Sequence, residues 1–167
     1  MPAVRVAVNV SPLQLRNRAF VAEIRQLIGA DEHAAAGLEL EITEGMVMEN
    51  ARHSISALQE IRAIGIRVAI DDFGTGFSSL SYLAKLPVDS LKIDRSFVNE
   101  MTSGPVGLSL ISTIITLAHS VRLTVVAEGV ETEEQQRLLR LLKCDEMQGF
   151  LFSKPVPADE FEARFLR

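Results

Sequence analysis

The sequence contains a single cysteine, Cys144, and no hydrophobic run long enough to cross a membrane. One cysteine excludes an internal disulfide and is typical of proteins in the reducing cytosol. No apolar run reaches about 18 residues, the minimum for a membrane-spanning helix, and the amino terminus does not have the regions of a signal peptide. The sequence therefore predicts a soluble cytoplasmic protein.

Basic residues are too few and too scattered to form a nucleic-acid-binding face. The 17 Lys and Arg residues are outnumbered by 22 Asp and Glu, which gives a formal net charge of −5. Nonspecific binding of nucleic acid needs a basic face, so this class of function is disfavoured. The composition is that of an ordinary globular protein, and no low-complexity linker divides the chain. We therefore predict one domain over residues 1–167.

Short apolar segments alternate with helical patterns along the chain. Six segments rich in Val, Ile and Leu are predicted strands: 4–10, 38–43, 66–71, 90–94, 123–128 and, with a weaker pattern, 146–152. The predicted helices cover 50–64, a buried helix at 105–121, a helix opened by a capping box of Thr132 and Gln135, and an amphipathic helix at 157–167. Apolar strands separated by helices predict a parallel sheet covered on its faces.

The spacing of these units predicts an incomplete barrel. One strand–helix unit takes about 28 residues here, close to the roughly 31 residues per unit of a (β/α)8 barrel of about 250 residues. The 167 residues supply about six units rather than eight. An open doubly wound α/β sheet is the alternative, but no glycine-rich nucleotide fingerprint follows the first strand.

Oxygen-bearing side chains lie at or near the ends of the predicted strands. They are Asn9, Glu41, Asp71, Asp72 and Glu128. Because the carboxyl ends of parallel strands meet at one edge of a sheet or barrel, we expect these side chains to converge. All-oxygen ligands suit Mg²⁺ or Mn²⁺, and two ions about 3.5–4 Å apart are a standard device for phosphodiester hydrolysis. The sequence therefore predicts a two-metal site.

A lysine accompanies the predicted ligands. Lys92 lies in the fourth predicted strand and would place an ammonium beside the metal ions, where it can orient an attacking water. Each of these residues also has an ordinary structural interpretation. An Asp-Asp pair is often a solvated turn, and a strand lysine often extends along the surface to reach solvent. Taken residue by residue, both interpretations stay open.

Six ordered motifs carry a resemblance to a known family. They are "VNVSPLQL", "LELEITEG", "IDDFGTGFSSLSYL", "LKIDRSFV", "VVAEGVET" and "MQGFLFSKP". Together they resemble, in family order and over residues 4–167, the EAL-domain family of cyclic di-GMP phosphodiesterases. The resemblance implies a TIM-like (β/α) barrel that cleaves cyclic di-GMP to linear pGpG with Mg²⁺ or Mn²⁺. It also implies that Ca²⁺ is inhibitory, because in this family Ca²⁺ supports binding without turnover.

The resemblance also implies roles for individual residues. Asn9, Glu41 and Asp71 would bind one metal ion, Asp72 would serve the second ion or both, and Glu128 would complete the cluster.

Further residues are assigned in the same way, as implied by the resemblance. Lys92 would position the hydrolytic water. Glu44 would anchor the loop "DFGTGFSS", which couples metal binding to dimerisation in the family. Four more residues would contact or frame the substrate site: Gln148, Pro155, Asp94 and Glu131.

One motif of the family is not in this sequence. The Glu-x-Leu-x-Arg segment, which supplies a metal ligand and a substrate contact, occurs nowhere in the 167 residues. We therefore predict an EAL domain truncated at its amino terminus, with weakened metal binding and low turnover. Exposed strand edges would make it a homodimer or larger oligomer. We also expect a parent protein with an upstream sensory or GGDEF domain. The alternative function is a non-catalytic cyclic di-GMP receptor or scaffold.

Overall fold

The computed structural model describes residues 4–29, 31–49, 51–74 and 83–166. Within them, six parallel strands form one sheet in sequence order. The strands are β1 Val6–Asn9, β2 Leu38–Thr43, β3 Arg67–Phe73, β4 Ser90–Ile93, β5 Thr124–Ala127 and β6 Glu146–Met147. The sequence prediction of a parallel sheet with six strand–helix units is confirmed.

Helices follow the strands and cover the sheet. They are α1 Pro12–Arg16, α2 Phe20–Ile28, α3 Glu32–Ala36, α4 Glu44–Glu49, α5 Ala51–Ala63, α6 Arg95–Glu100, α7 Pro105–Ser120, α8 Glu133–Leu141 and α9 Ala158–Phe161. A π-helical turn, Glu162–Leu166, continues α9, so the helix predicted over 157–167 changes its winding partway. No helix among the described residues is long and apolar enough to span a membrane.

The core lies between the sheet and these helices. Its fully buried side chains include Ile42, Ile70 and Leu91 from the strands and Leu58 and Ile111 from the helices. Helix α7 differs from the prediction of a buried helix. Only one face of it is buried, at Gly107, Ile111, Ile115 and Ala118, while Val106 is 72% exposed. Because apolar residues occur all around this helix, its sequence does not show which face is buried.

The sixth strand is shorter than predicted, and the reason is a close backbone contact. Beyond Met147 the chain turns, and Gly149 lies against the loop after β5. A Cβ at Gly149 would be 2.2 Å from the Val130 carbonyl oxygen, so only glycine fits there. Val130 N–H donates to the Gln148 carbonyl at 3.0 Å, and Leu151 N–H donates to the Val130 carbonyl at 3.0 Å. These bonds replace a longer strand ladder.

The sheet curls until its two edge strands approach each other. Arg5, just before β1, forms an ion pair with Glu146 of β6 at 3.4 Å between Nη2 and Oε1. These strands stand at opposite ends of the strand order, so the contact requires strong curvature. Val6 of β1 is 60% exposed, which shows that the gap between the two strands stays open. The architecture is therefore an incomplete TIM-like barrel.

Aspartates at the amino ends of two strands tie neighbouring elements together. Asp89, before β4, accepts hydrogen bonds from Val68 N–H at 2.9 Å and from Arg62 Nη2 at 2.7 Å. Asp145, before β6, accepts bonds from Val125 N–H and His119 Nε2, both at 2.8 Å. In each case one carboxylate joins a strand amide to a side chain of the preceding helix. These contacts lie at the end of the barrel opposite the predicted site.

Candidate metal and substrate site

A β-bulge explains how two consecutive aspartates reach one site. The pairing of β3 with β4 shifts register between Ile70 and Phe73. Asp72 there has a positive φ of 53°, a left-handed conformation that Asp tolerates better than most residues. In a regular strand, successive side chains point to opposite faces. The bulge breaks that alternation, so Asp71 and Asp72 both face the carboxyl end of the sheet.

Lys92 lies at the centre of the predicted acidic residues. The residue is 5% exposed, and its Nζ is 2.6 Å from Glu41 Oε1, 3.0 Å from Asp71 Oδ1 and 2.7 Å from Glu128 Oε1. These carboxylates come from β2, β3 and the end of β5. Of the five oxygen-bearing side chains expected to converge, Glu41, Asp71 and Glu128 thus lie around one ammonium, that of Lys92. One buried ammonium balances part of the charge of three carboxylates.

The electrostatics of the cluster follow from burial and proximity. Burial alone would lower the pKa of Lys92, but hydrogen bonds to Glu128 and Glu41 outweigh it and raise the pKa. Burial raises the pKa of Glu128, and its bond to Lys92 opposes that effect. The pKa of Asp72 is raised by burial and by the neighbouring negative charge of Asp71. The site therefore concentrates negative charge in a partly desolvated place.

Three of the carboxylates are close enough to bind one cation. Single oxygen atoms of Asp71, Asp72 and Glu128 all lie within 4.8 Å of one another. Asp71 Oδ1 is also buried, and its cationic neighbour is Lys92 Nζ at 3.0 Å, an ammonium that contacts Glu41 and Glu128 at shorter distances. A single ammonium leaves net negative charge on three partly buried carboxylates, which is costly unless a further cation balances it. The residues present therefore fit a hard divalent ion.

A cleft of about 350 Å³ opens directly beside this group. Its lining comes from the end of β3 and from the segments after β4, β5 and β6, and comprises Asp72, Asp94, Arg95, Glu128, Gly129, Glu131, Gln148, Gly149 and Phe150. Three of the four residues assigned to the substrate site line it, namely Asp94, Glu131 and Gln148. Asp94 also begins α6, where its carboxylate accepts bonds from Ser96 that lower its pKa.

The remaining predicted residues lie elsewhere or are only partly described. Pro155 lines a neighbouring apolar cleft of about 590 Å³ with Phe152 and Phe161, rather than the cleft beside the carboxylates. Asn9 ends β1 opposite Glu41 in the strand register, so it is adjacent to the cluster. Glu44 begins α4 directly after β2. Of the loop it is predicted to anchor, residues 72–79, positions 75–79 lie outside the described residues.

Two cleft residues were not among the predicted site residues. Arg95 is a basic side chain in a lining otherwise rich in carboxylates, and Phe150 is 58% exposed there. Both stand inside the quoted motifs, immediately beside Asp94 and close to Gln148. Their positions were therefore available from the sequence. Their orientation into the cleft depends on the packing of loops, so the sequence does not predict it.

Comparisons with known proteins agree with this geometry. The family model described as "EAL domain" matches residues 1–155. The cyclic di-GMP phosphodiesterase NbdA of Pseudomonas aeruginosa is 44% identical over 163 residues, which are 98% of this chain and 21% of NbdA. The chain thus spans about a fifth of the length of the curated relatives it matches.

Solved structures give the same result. MucR phosphodiesterase of Pseudomonas aeruginosa, in complex with cyclic di-GMP, is 41% identical with a TM-score of 0.88, covering 94% of this chain and 64% of that one. Klebsiella pneumoniae BlrP1, solved with manganese and cyclic di-GMP, is 29% identical with a TM-score of 0.81, covering 92% of this chain and 40% of that one. A further BlrP1 complex contains calcium. The chain belongs to the EAL domain family.

Proposed function

We propose that this chain carries the catalytic strand ends of an enzyme that hydrolyses cyclic di-GMP to linear pGpG. The observation that carries the proposal is the convergence of Asp71, Asp72 and Glu128 at the mouth of an incomplete barrel. Such a group suits divalent cations, and the adjoining cleft has room for part of a nucleotide. The printed names of NbdA and of the MucR complex, which specify cyclic di-GMP, support the substrate.

The metal would be Mg²⁺ or Mn²⁺, with a two-metal site as the proposed arrangement. Asp71, Asp72 and Glu128 would hold it, with Asn9 and Glu41 as further oxygen ligands. A bound cation would supply Lewis-acid polarisation of the phosphodiester and a more acidic water. The manganese and calcium complexes of BlrP1 support hard cations in this family. Ca²⁺ is proposed to allow binding while inhibiting turnover.

The chain's own residues have separate proposed tasks. The Lys92 ammonium lies among the proposed ligands, where an N–H that leaves one of its three carboxylates can donate to the attacking water. Its charge can also offset the negative charge that develops on the phosphate. The Arg95 guanidinium gives the acidic cleft a positive group for a phosphate or for a guanine edge. Phe150 offers an exposed ring for base stacking. Asp94, Glu131 and Gln148 would frame the same ligand, with Pro155 nearby.

Several finer features are proposals from the family resemblance. Residues 1–167 form part of one EAL-type domain that acts in the cytoplasm. The domain works as a homodimer, and Glu44 links the loop after β3 to dimerisation. An upstream sensory or GGDEF domain controls it in the parent protein.

The absence of Glu-x-Leu-x-Arg from the 167 residues predicts impaired chemistry. With one carboxylate fewer, the cluster should bind divalent cations more weakly, and little pGpG should form. The experiment is a titration of the purified chain with cyclic di-GMP, first with Ca²⁺ and then with Mg²⁺ while pGpG is followed. We expect Ca²⁺-dependent binding that Asp71→Ala abolishes. Glu134→Ala, which removes an exposed carboxylate on α8, should bind like the wild type.

The outcomes separate the two candidate functions. Binding that needs no divalent cation and survives Asp71→Ala would favour the receptor or scaffold function, which the missing motif keeps in consideration. Rapid Mg²⁺-dependent formation of pGpG would contradict the predicted impairment. A chain that does not bind cyclic di-GMP under any of these conditions would contradict the proposed function itself.

A further inference from the structure

Gln135 is a buried glutamine in a capping box, whereas Gln14, which has the same role at another helix, is exposed. Among the described residues, capping boxes begin α1, with Ser11 and Gln14, and α8, with Thr132 and Gln135. In both, the glutamine side chain bonds back to the backbone of the capping residue. Gln14 is exposed, as this local role allows, whereas Gln135 is only 4% exposed. Capping alone does not require that burial.

The Gln135 amide makes hydrogen bonds on both sides. Its Oε1 accepts from Glu131 N–H at 2.8 Å and from Thr132 N–H at 3.0 Å. Its Nε2 donates to the Val98 carbonyl at 3.4 Å and to Asn99 Oδ1 at 3.3 Å. The oxygen therefore caps α8, while the nitrogen reaches α6, more than 35 residues away in the chain. All four hydrogen-bonding positions of the amide are used.

These bonds join two walls of the candidate substrate cleft. The loop after β5 carries Glu128 and Glu131, and α6 begins beside Asp94 and Arg95. The two segments are already in close contact, since a Cβ at Gly129 would be 2.5 Å from the Arg95 Cβ. Gln135 lies behind this contact and fixes the backbone amide of Glu131 relative to α6. The Glu128 N–H also donates to the Ile93 carbonyl at 3.1 Å, and the Gln135 Nε2 adds hydrogen bonds farther along both walls.

We propose that Gln135 is a positioning residue for the site: its amide holds the Glu128–Glu131 loop against α6 and so sets the shape of the cleft. The inference deepens the proposed function and rests on it for the identity of the ligand. Gln135 does not line the cleft, so it acts through Glu128, Glu131 and Asp94. The same side chain that caps α8 therefore also connects the loop after β5 to α6.

The variant that separates the two roles is Gln135→Glu. A glutamate at this capping-box position still accepts from the two backbone amides, but it has no N–H for Val98 or Asn99. Hydrogen–deuterium exchange of the 167-residue chain measures, without any ligand, how firmly the two segments are held. We expect amides in residues 95–100 and 128–131 to exchange at least about tenfold faster, because the two acceptors lose their donor and face a carboxylate oxygen instead. Thr132→Ala, which weakens the cap alone, should affect only the first turn of α8.

Two further variants complete the test. Gln14→Glu, the same change in the exposed capping box, should leave both cleft segments unchanged. Asn99→Ala removes one acceptor of the Gln135 amide at an exposed position, and it should accelerate exchange in the same two segments. It therefore serves as the test if Gln135→Glu does not fold. Exchange in Gln135→Glu confined to the first turn of α8, as in Thr132→Ala, would overturn the proposal.

A ligand measurement adds a readout that a purely structural residue would not change. With Ca²⁺ present, Gln135→Glu should weaken cyclic di-GMP binding at least about threefold, while Thr132→Ala, which weakens only the cap of α8, should not. Equal affinities for Gln135→Glu and the wild type would contradict the positioning role. If the wild type binds no cyclic di-GMP, the proposed function fails, and the exchange pattern still decides whether Gln135 links the two segments.

Discussion

Lys92 is a single cation enclosed by Glu41, Asp71 and Glu128, and this arrangement determines how the site responds to mutation. Each carboxylate is within 3.0 Å of Nζ. Removing one partner of a buried ion pair usually costs more than the pair contributes, because the remaining charges stay desolvated. The same carboxylates are the proposed metal ligands, so an added divalent ion can replace the lost charge.

Lys92→Met should therefore destabilise the chain by about 3–5 kcal/mol, the usual cost of leaving a buried charge unpaired. Mn²⁺ should restore part of that stability in Lys92→Met and have a smaller effect on the wild type. Urea unfolding with and without Mn²⁺ measures both effects. Lys85→Met, which removes an exposed ammonium, is the matched control and should be neutral. If Lys92→Met is as stable as the wild type without Mn²⁺, the ammonium is not needed to balance the cluster.

At this scale the sequence predicts the identity of the site residues better than their geometry. Asp71, Asp72 and Glu128 were candidates because of their places at strand ends, and Lys92 because of its place within β4. The sequence does not predict the left-handed backbone of Asp72, because that conformation accompanies the register shift between β3 and β4. Arg95 was missed for a similar reason. Its direction depends on the start of α6 and on its contact with Gly129.

Among the elements, strand order was more predictable than strand length. Apolar runs and capping boxes locate the strands and helices, whereas the end of β6 depends on the distant loop at Val130. The clamp between Asp145, Val125 and His119 is equally invisible in the sequence, because it joins residues 20 or more positions apart. It holds an edge strand of only two residues, so it should matter for the stability of that edge.

The Asp145 clamp predicts a specific dependence on pH. Burial alone would raise the pKa of Asp145, but hydrogen bonds from His119 and Val125 outweigh it and lower the pKa below the ordinary value of 3.8. A carboxyl whose folded pKa is lowered stabilises the fold above its unfolded pKa and loses that effect as pH falls through the folded pKa. The stability advantage of wild type over Asp145→Asn should therefore be complete at pH 6.

The same advantage should shrink as the pH falls below about 4, since the unfolded carboxyl titrates there. Urea unfolding of both proteins across this pH range measures the difference. Asp159→Asn, at an exposed position of α9, is the control and should show no comparable trend. A difference that is independent of pH, or that grows as the pH falls, would contradict the role of the Asp145 carboxylate.

At the scale of the whole molecule, the incomplete barrel leaves two strand edges facing one gap. The number of units was predictable from the chain length and the spacing of the strands. The bridge between Arg5 and Glu146 was not, because curvature results from the combined twist of all six strands. Among the described strands β1 pairs with β2 alone, and its exposed valines lie on the kind of edge that pairs with another chain.

The purified chain should therefore associate through β1, and Val6→Lys should shift it toward the monomer because a charged side chain opposes edge-to-edge pairing. Size-exclusion chromatography with light scattering measures the mass. Val106→Lys places the same charge on the exposed face of α7 and should leave the association unchanged. A wild-type chain that remains a stable monomer would contradict the prediction, as would equal effects of the two variants.

The central claim is that oxygen ligands from separate strands hold a divalent ion at the carboxyl end of the sheet. The most direct measurement is anomalous X-ray diffraction from crystals of the chain grown with Mn²⁺. We predict an anomalous peak in contact with Asp71, Asp72 and Glu128, beside Lys92 and open to the cleft. Ordered Mn²⁺ bound only elsewhere, with the three carboxylates still grouped around the lysine, would contradict the account.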